Sequence, residues 1–339
     1  MSFETKLLDS SPESIEYAAE LIKQGEVVGM PTETVYGLAA NAYDSDAVAK
    51  IFRAKGRPAD NPLIVHISDL SQLGGIVSEV PQLALSCAKA FWSGPLTMIF
   101  PKNPDIPYIT SGGLETVGVR MPSHPAARAL IEKAGVPLAA PSANLSGSPS
   151  PTTAAHVMAD MRSRIPVVID GGECEAGVES TVIAFEQDSI RILRPGRITK
   201  EMLMTVCPNV TVDSGVLHEV DPEKQVASPG MKYKHYSPAA DVIIVSGSAE
   251  QFAYYVKNNL TPDTLCLVFE ESDLGTMDIP HILLGSDGEQ QAHNLFAALR
   301  DADKLGAKTV FARCPERTGV GLAVYNRLIR AAGFKVVEL

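Results

Sequence analysis

Cysteine is scarce: the 339 residues hold five, at positions 87, 174, 207, 266 and 314, and no two form a C-x-x-C pair. An odd, scattered set argues against a disulfide frame or a zinc cluster and suits reduced thiols packed as small apolar side chains. The chain has no G-x-x-x-x-G-K-[ST] phosphate loop, no H-E-x-x-H, no G-x-S-x-G elbow and no ligand spacing among its seven histidines, so the common ATPase, metalloprotease and serine-hydrolase signatures are missing. Gly319-Val320-Gly321 opens like a dinucleotide fingerprint but lacks the third glycine and the preceding first strand. Positive charge is also in deficit, with 29 Lys and Arg against 40 Asp and Glu for a formal net charge of -11. That balance opposes a whole-surface affinity for nucleic acid or anionic membrane and leaves room for one basic groove. No apolar run is long enough to span a bilayer, and MSFETKLLDSSPESIEYAAELIKQG carries acidic residues where a signal peptide would be cationic; the expected location is the cytoplasm.

What is present reads as two α/β units, as the length suggests. Residues 1 to 207 alternate apolar runs with amphipathic segments, the pattern of a twisted α/β sheet. Helices are expected over Pro12–Gln24, capped by Ser11, over Asp46–Ala54, ended by Gly56, over Leu83–Trp92 and over Pro125–Ala134. Strands are expected at Val27–Met30, Leu63–Ile67, Thr97–Phe100, Val117–Met121, Leu138–Ala140, Val167–Ile169, Val182–Phe185 and Ile190–Leu193. From 208 to 238 the periodicity weakens and ends in SPGMKYKHYSP, a Pro- and Gly-bounded basic-aromatic stretch read as a functional linker. Residues 239 to 339 repeat strand and helix, through DVIIVSG, TLCLVFE, TVFARC and LAVYNRLIRAAG, as a smaller Rossmann-like domain.

The chemistry gathers in turns beside strands, where open α/β sheets place ligands. Pro31-Thr32-Glu33-Thr34 directly follows a strand; its hydroxyls can bind a small polar ligand or cap the next segment. Lys55 and Arg57 flank Gly56 at a helix end, which fits either dipole compensation or anion binding. Asn61-Pro62 then introduces the strand that bears His66. Ser142 and Asn144 follow another buried strand and can meet phosphate oxygens or satisfy their own turn. Glu179-Ser180-Thr181 precedes a strand, Arg120 ends one, and Arg194 sits at a Pro-Gly corner suited to bidentate phosphate binding. Single items are weak; their number in one domain points to a site.

PTETVYGLAANA, KGRPADNPLIVH, GLETVGVRMPSHP, APSANLSG, GVESTVI and RPG, in this order and spacing, resemble the YrdC-like domain of threonylcarbamoyl-AMP synthases. The linker and the small domain after it resemble the two-domain form, so the likeness covers essentially the whole chain. Ala39 stands where the family often has glycine, and Ser93 where it often has proline. The resemblance implies that L-threonine, bicarbonate and ATP react to give threonylcarbamoyl-AMP and pyrophosphate, with the product passed to a tRNA threonylcarbamoyl transferase.

By the same resemblance, Thr34, His66, Arg120, Ala140 and Ser180 hold threonine, with Arg120 on its carboxylate. Lys55 and Arg57 are catalytic, beside the bicarbonate and the transferred phosphate. Arg57, Asn61, Thr116, Ser142, Asn144, Ser150 and Arg194 surround the nucleotide, with Tyr233 and His235 brought near by the linker acting as a lid. Magnesium is expected on the triphosphate rather than in a protein cage. No stable nucleic-acid complex and no membrane association are expected. A double-stranded RNA-binding module without turnover is the alternative reading, opposed by the charge. A carbamoyl-phosphate-dependent transferase is opposed by the missing cysteine cluster.

Overall fold

The computed structural model describes residues 4–59, 61–218 and 236–339. The first eleven strands are β1 (Lys6–Leu8), β2 (Val28–Met30), β3 (Gly37–Asn41), β4 (Ile64–His66), β5 (Leu96–Pro101), β6 (Thr116–Arg120), β7 (Leu138–Ala139), β8 (Val167–Ile169), β9 (Thr181–Glu186), β10 (Ser189–Arg194) and β11 (Val210–Val212). Among the described residues they form one mixed sheet in the order β1-β8-β2-β3-β7-β4-β6-β5-β9-β10-β11.

The expected helices form within a few residues of their predicted bounds, as Pro12–Lys23, Ser45–Lys55, Gln82–Phe91 and Pro125–Ala134. Ser11 and Asp44 cap the first two by accepting from backbone N–H groups, which satisfies donors that have no partner inside the helix. Gly56 ends the second at φ 64°, a left-handed conformation that glycine adopts without a Cβ clash. Three strands were not anticipated. β1 is short and largely exposed, and β3 is built from small residues, GLAAN, whose alternation is hidden by burial throughout most of its length. β11 lies beyond the expected boundary at 207 and pairs in parallel with β10, so the first sheet extends into the stretch read as linker. Ala39, on β3, is fully buried opposite Val28, its methyl accommodated in the core beneath the helices Pro12–Lys23 and Pro125–Ala134.

Side chains alternate across a strand, and the central strands divide accordingly. Val65, Val117, Val119, Met98 and Ile183 enter the largest apolar core. Ile64 and His66 of β4, and Thr116, Gly118 and Arg120 of β6, share the other face. Register aligns His66 with Arg120, and Arg120 with Thr97 of β5. This face holds the cavity described below.

The second sheet contains β12 (Asp241–Ser246), β13 (Thr264–Val268), β14 (His281–Leu283), β15 (Thr309–Arg313) and β16 (Val336–Glu338), in the order β14-β13-β15-β12-β16. Every pairing within it is parallel, the doubly wound class expected, although β15 is inserted between β12 and β13 where a Rossmann order would keep those two adjacent. Helices Ala249–Asn258, Gly288–Lys304 and Gly321–Ala331 cover it. Val35 and Val178 of the first region pack into the same apolar cluster as Leu295, Phe296, Val324 and Leu328 of the second. Among the described residues no helix is long and apolar enough to cross a membrane.

Candidate active site

A cavity lies on the polar face of the central strands, lined by Thr32, Thr34, Arg57, Ile64, His66, Arg120, Ala140, Ser142, Glu179, Ser180, Arg194 and Tyr236, among others. Seven of the candidates named from sequence therefore meet in one place together with Arg57. Its position differs from the strand-end crevice expected of an open parallel sheet. β7 runs antiparallel to β4, and β5 antiparallel to β6, so loops from both ends of the sheet fold over one face.

At one end Arg120 is 4% exposed, and its Nη1 donates to Thr34 Oγ1 at 2.8 Å. Its Nη2 lies 2.8 Å from Glu33 Oε2. Burial alone would raise the Glu33 carboxyl, but Arg120 overcomes this and holds it below the ordinary carboxylate value. Thr32 and Thr34 share a hydroxyl–hydroxyl bond of 2.9 Å, and Thr32 Oγ1 also donates to the Val35 carbonyl. The Thr-rich turn is thus fixed by its own hydroxyls, and Thr34 still faces the cavity. His66 is pushed down to about 3, first by burial and then by Arg120, so its imidazole is neutral at physiological pH. Among the described residues its Nδ1 has no hydrogen-bond partner.

The opposite wall joins β5, β9 and β10. Ser180 Oγ and Thr97 Oγ1 are 2.8 Å apart. Arg194 Nε donates to the Ser180 carbonyl and Nη2 to Ser180 Oγ, each at 3.0 Å. This contact depends on Gly196, where a Cβ would strike the Thr181 backbone; the missing side chain lets the corner after β10 lie on the start of β9. Burial brings Arg194 down to about 10, still a full cation at neutral pH.

The third group surrounds the turn after β7. Gly37 bridges Ser142, and Leu38 N donates to the Pro141 carbonyl, so β3 carries this turn. Lys55, expected beside the transferred phosphate, is absent from the cavity lining. Its Nζ donates to the carbonyls of Ser142 and Asn144, the latter at 2.8 Å, and to Asn144 Oδ1 at 3.3 Å. Burial, then Arg57, pushes its pKa well below the ordinary lysine value, against Asp160 and Glu179. Carbonyl dipoles take up the ammonium here, which makes Lys55 a brace for the turn in this conformation. Asn144 is likewise spent locally: its Nδ2 donates to the carbonyls of Leu145 and Ser148, both at 2.8 Å. Ser142 and Arg57 line the cavity. Asn61 is 1% exposed, and among the described residues neither amide atom has a partner.

Thr116 begins β6, four residues before Arg120 on the same face, which places it roughly 13 Å further along the strand; it does not line the cavity. Ala140 does, but its N–H is taken by the Ile64 carbonyl at 2.9 Å, so a ligand would meet its carbonyl. Ser150 is buried and donates to Glu179 Oε1. Tyr233 and His235 lie outside the described residues.

Sequence reasoning assigned no role to Glu33, Glu179, Tyr236 or Arg327. Glu33 and Glu179 stand inside the quoted motifs, beside Thr34 and Ser180, which was the available signal. Arg327 Nε pairs with Glu179 Oε2 at 2.8 Å across 148 positions of sequence, a distance no local pattern spans. Tyr236 lines the cavity and its ring packs on Phe296, with centroids 5.1 Å apart. A second groove, lined by Glu26, Lys50, Arg53, Ser163 and Arg164, holds none of the predicted residues, and Lys50 there already pairs with Glu26 at 2.7 Å.

The family described as telomere recombination matches residues 20–196, and that described as threonylcarbamoyl-AMP synthase, C-terminal domain, matches residues 198–333. The threonylcarbamoyl-AMP synthase of Pyrococcus abyssi is 44% identical over 334 residues, covering 96% of each chain. The chain belongs to the threonylcarbamoyl-AMP synthase family. The Bacillus subtilis synthase is 44% identical over 340 residues, covering 98% of this chain and 97% of its own. A crystal structure of P. abyssi Sua5 complexed with L-threonine superposes with a TM-score of 0.91 at 42% identity, covering 99% of this chain and 100% of that chain. The two-domain architecture of this synthase family is therefore shared along the full length.

Proposed function

We propose that the chain is an L-threonylcarbamoyladenylate synthase acting in tRNA modification, and that the cavity over β4 and β6 is where L-threonine, bicarbonate and ATP react. One observation carries the reading: neutral His66, the Thr34–Arg120 pair, Ser180 and Arg194 share a single cavity with Arg57 and Ser142. Family membership and the likeness to the threonine-bound P. abyssi structure support it.

Threonine's neutral amine attacks the bicarbonate carbon to form the N–C bond of a carbamate, and the hydroxide that leaves that carbon departs as water with a proton from the amine nitrogen. A carbamate oxygen then attacks the α-phosphorus of ATP, and pyrophosphate leaves. Arg120 meets the threonine carboxylate, with Glu33 behind it fixing the orientation of the guanidinium. His66, being neutral, offers threonine a hydrogen bond without competing for the carboxylate. Thr34 and Ser180 supply hydroxyls. Arg57 and Arg194 neutralise charge that builds on the phosphate oxygens, and Ser142 donates to them. Lys55 and Asn144 position that turn, with Asn61, Thr116 and Ser150 around the nucleotide's outer part. Holding the carbamate within this cavity would slow its loss of carbon dioxide.

Magnesium enters as part of the nucleotide substrate. Glu179 in the cavity lining and Glu33 behind Arg120 are each held by an arginine. The reaction belongs in the cytoplasm, where its tRNA-modifying partner would take up the product.

The test is pyrophosphate release from magnesium-ATP by the purified chain. Release that requires both threonine and bicarbonate is expected; release indifferent to either would sink the reading.

A further inference from the structure

Arg327 belongs to the second region, on the helix Gly321–Ala331, and is 0% exposed. All three of its guanidinium nitrogens are engaged. Nε meets Glu179 Oε2 at 2.8 Å and Nη2 donates to the Glu179 carbonyl at 3.1 Å; Nη1 donates to the Pro195 carbonyl at 2.6 Å and to Asn326 Oδ1 at 3.0 Å. These contacts tie together two loops of the first region. Each loop places a neighbouring residue in the cavity wall: Ser180 follows Glu179, and Arg194 precedes Pro195. The remaining carboxylate oxygen of Glu179 accepts from Ser150.

We propose that Arg327 is a positioning residue for catalysis, a fork from the second domain that sets Glu179-Ser180 against Arg194-Pro195 and so completes the wall of the synthase cavity. The proposal rests on the synthase reading. Docking by itself does not require this arginine. Val35 and Val178 already bury apolar surface against the second domain, and Arg300 pairs with Asp160 at 2.7 Å while its Nη2 also donates to the Pro149 carbonyl. An apolar contact holds two surfaces together without fixing a carboxylate and two carbonyls at once, whereas a planar guanidinium has the donor geometry to do so. Arg327 also leads the groups that hold the Glu179 carboxyl below its ordinary value against burial, with Arg194 and Ser150 assisting. Tyr236 and Lys55 face the same carboxylate.

The experiment compares pyrophosphate release and thermal melting in the full chain, the variants Arg327→Met, Arg327→Lys and Arg300→Met, and the double variant Glu179→Gln/Arg327→Met. Arg327→Met is expected to lower kcat/KM for both ATP and threonine by about 100-fold, the cost of a roughly 1 Å misplacement of reacting groups. Its activity should also fall off at a higher pH on the acid side, because Glu179 loses its principal cation. Arg327→Lys should recover part of the loss. The double variant should recover melting temperature but not turnover, which separates positioning from stability. Arg300→Met should melt earlier and keep kcat/KM near wild type. Wild-type turnover in Arg327→Met, or an equal loss of kcat/KM in Arg300→Met, overturns the proposal while leaving the synthase reading intact. Pyrophosphate release by the wild-type chain without need of threonine overturns both.

Discussion

The two sheets bury polar groups for different reasons. The first carries Glu33, His66, Arg120, Glu179, Ser180 and Arg194 at under 9% exposure, and all of them line the mixed-sheet cavity or stand directly behind it. The second, wholly parallel, has an apolar interior around Val245, Phe252, Cys266, Val268 and Phe311. Several of its buried polar groups, Asn326, Arg327 and Arg330, sit on a helix that faces the first region, reaching Val216, Glu179 and Gly215. Buried charge is costly unless answered. In the first region Glu33 and Arg120 answer each other beside the cavity, while Glu179 and Arg327 answer each other across the two regions. The second domain is therefore read as a scaffold for the site.

The largest expected effect comes from breaking the charged face itself. Arg120→Leu leaves Glu33 buried without its cation, so a loss of about 3–5 kcal/mol in stability is expected, with threonine binding lost as well. Urea unfolding and calorimetric titration of threonine measure the two. Retained threonine affinity would remove Arg120 from the substrate site. Phe252→Ala, in the core of the second sheet, should cost a comparable 3–5 kcal/mol as a cavity. Here kcat/KM of the folded protein should stay near wild type, and a parallel kinetic loss would blur the division drawn between the regions. Arg57→Ala should do the reverse, costing about 2–4 kcal/mol of transition-state stabilisation with little change in melting temperature. Steady-state pyrophosphate release against ATP concentration decides it.

How much of this was legible in the sequence follows from the range of each interaction. Helix bounds were readable because Ser11 and Gly56 act on residues within a turn of themselves. β3 was not, since its small, buried residues show neither period clearly. Motif residues such as His66, Arg120 and Arg194 could be nominated, and the cavity gathers them. Their partners could not: the Arg120–Thr34 bond spans 86 positions and the Arg327–Glu179 bond 148. Lys55 shows the limit from the other side. The family resemblance, not the triplet itself, placed it beside the phosphate, and its contacts with Asn144, 89 positions away, were not legible.

The smallest expected effect is on the pH dependence of stability, and it probes the same polar face. The folded chain holds His66 at about 3, against an ordinary value of 6.5. Between those values the unfolded chain binds a proton that the folded chain refuses, so the stability from neutral His66 is fully present above pH 6.5 and declines as pH falls toward 3. The slope from one such group is about 1.4 kcal/mol per pH unit. His156, pushed down to about 4 mainly by burial, adds a term of the same sign over pH 6.5 to 4. Urea midpoints measured from pH 7.5 to 4.5 should therefore fall with acid, and more gently in His66→Gln by about one proton's worth. The counter-charge sharpens the test. Arg120 depresses His66 and Glu33 raises it, so Arg120→Leu should move His66 upward and flatten the same slope. An unchanged slope in both variants would mean that His66 is not the neutral buried group that threonine meets.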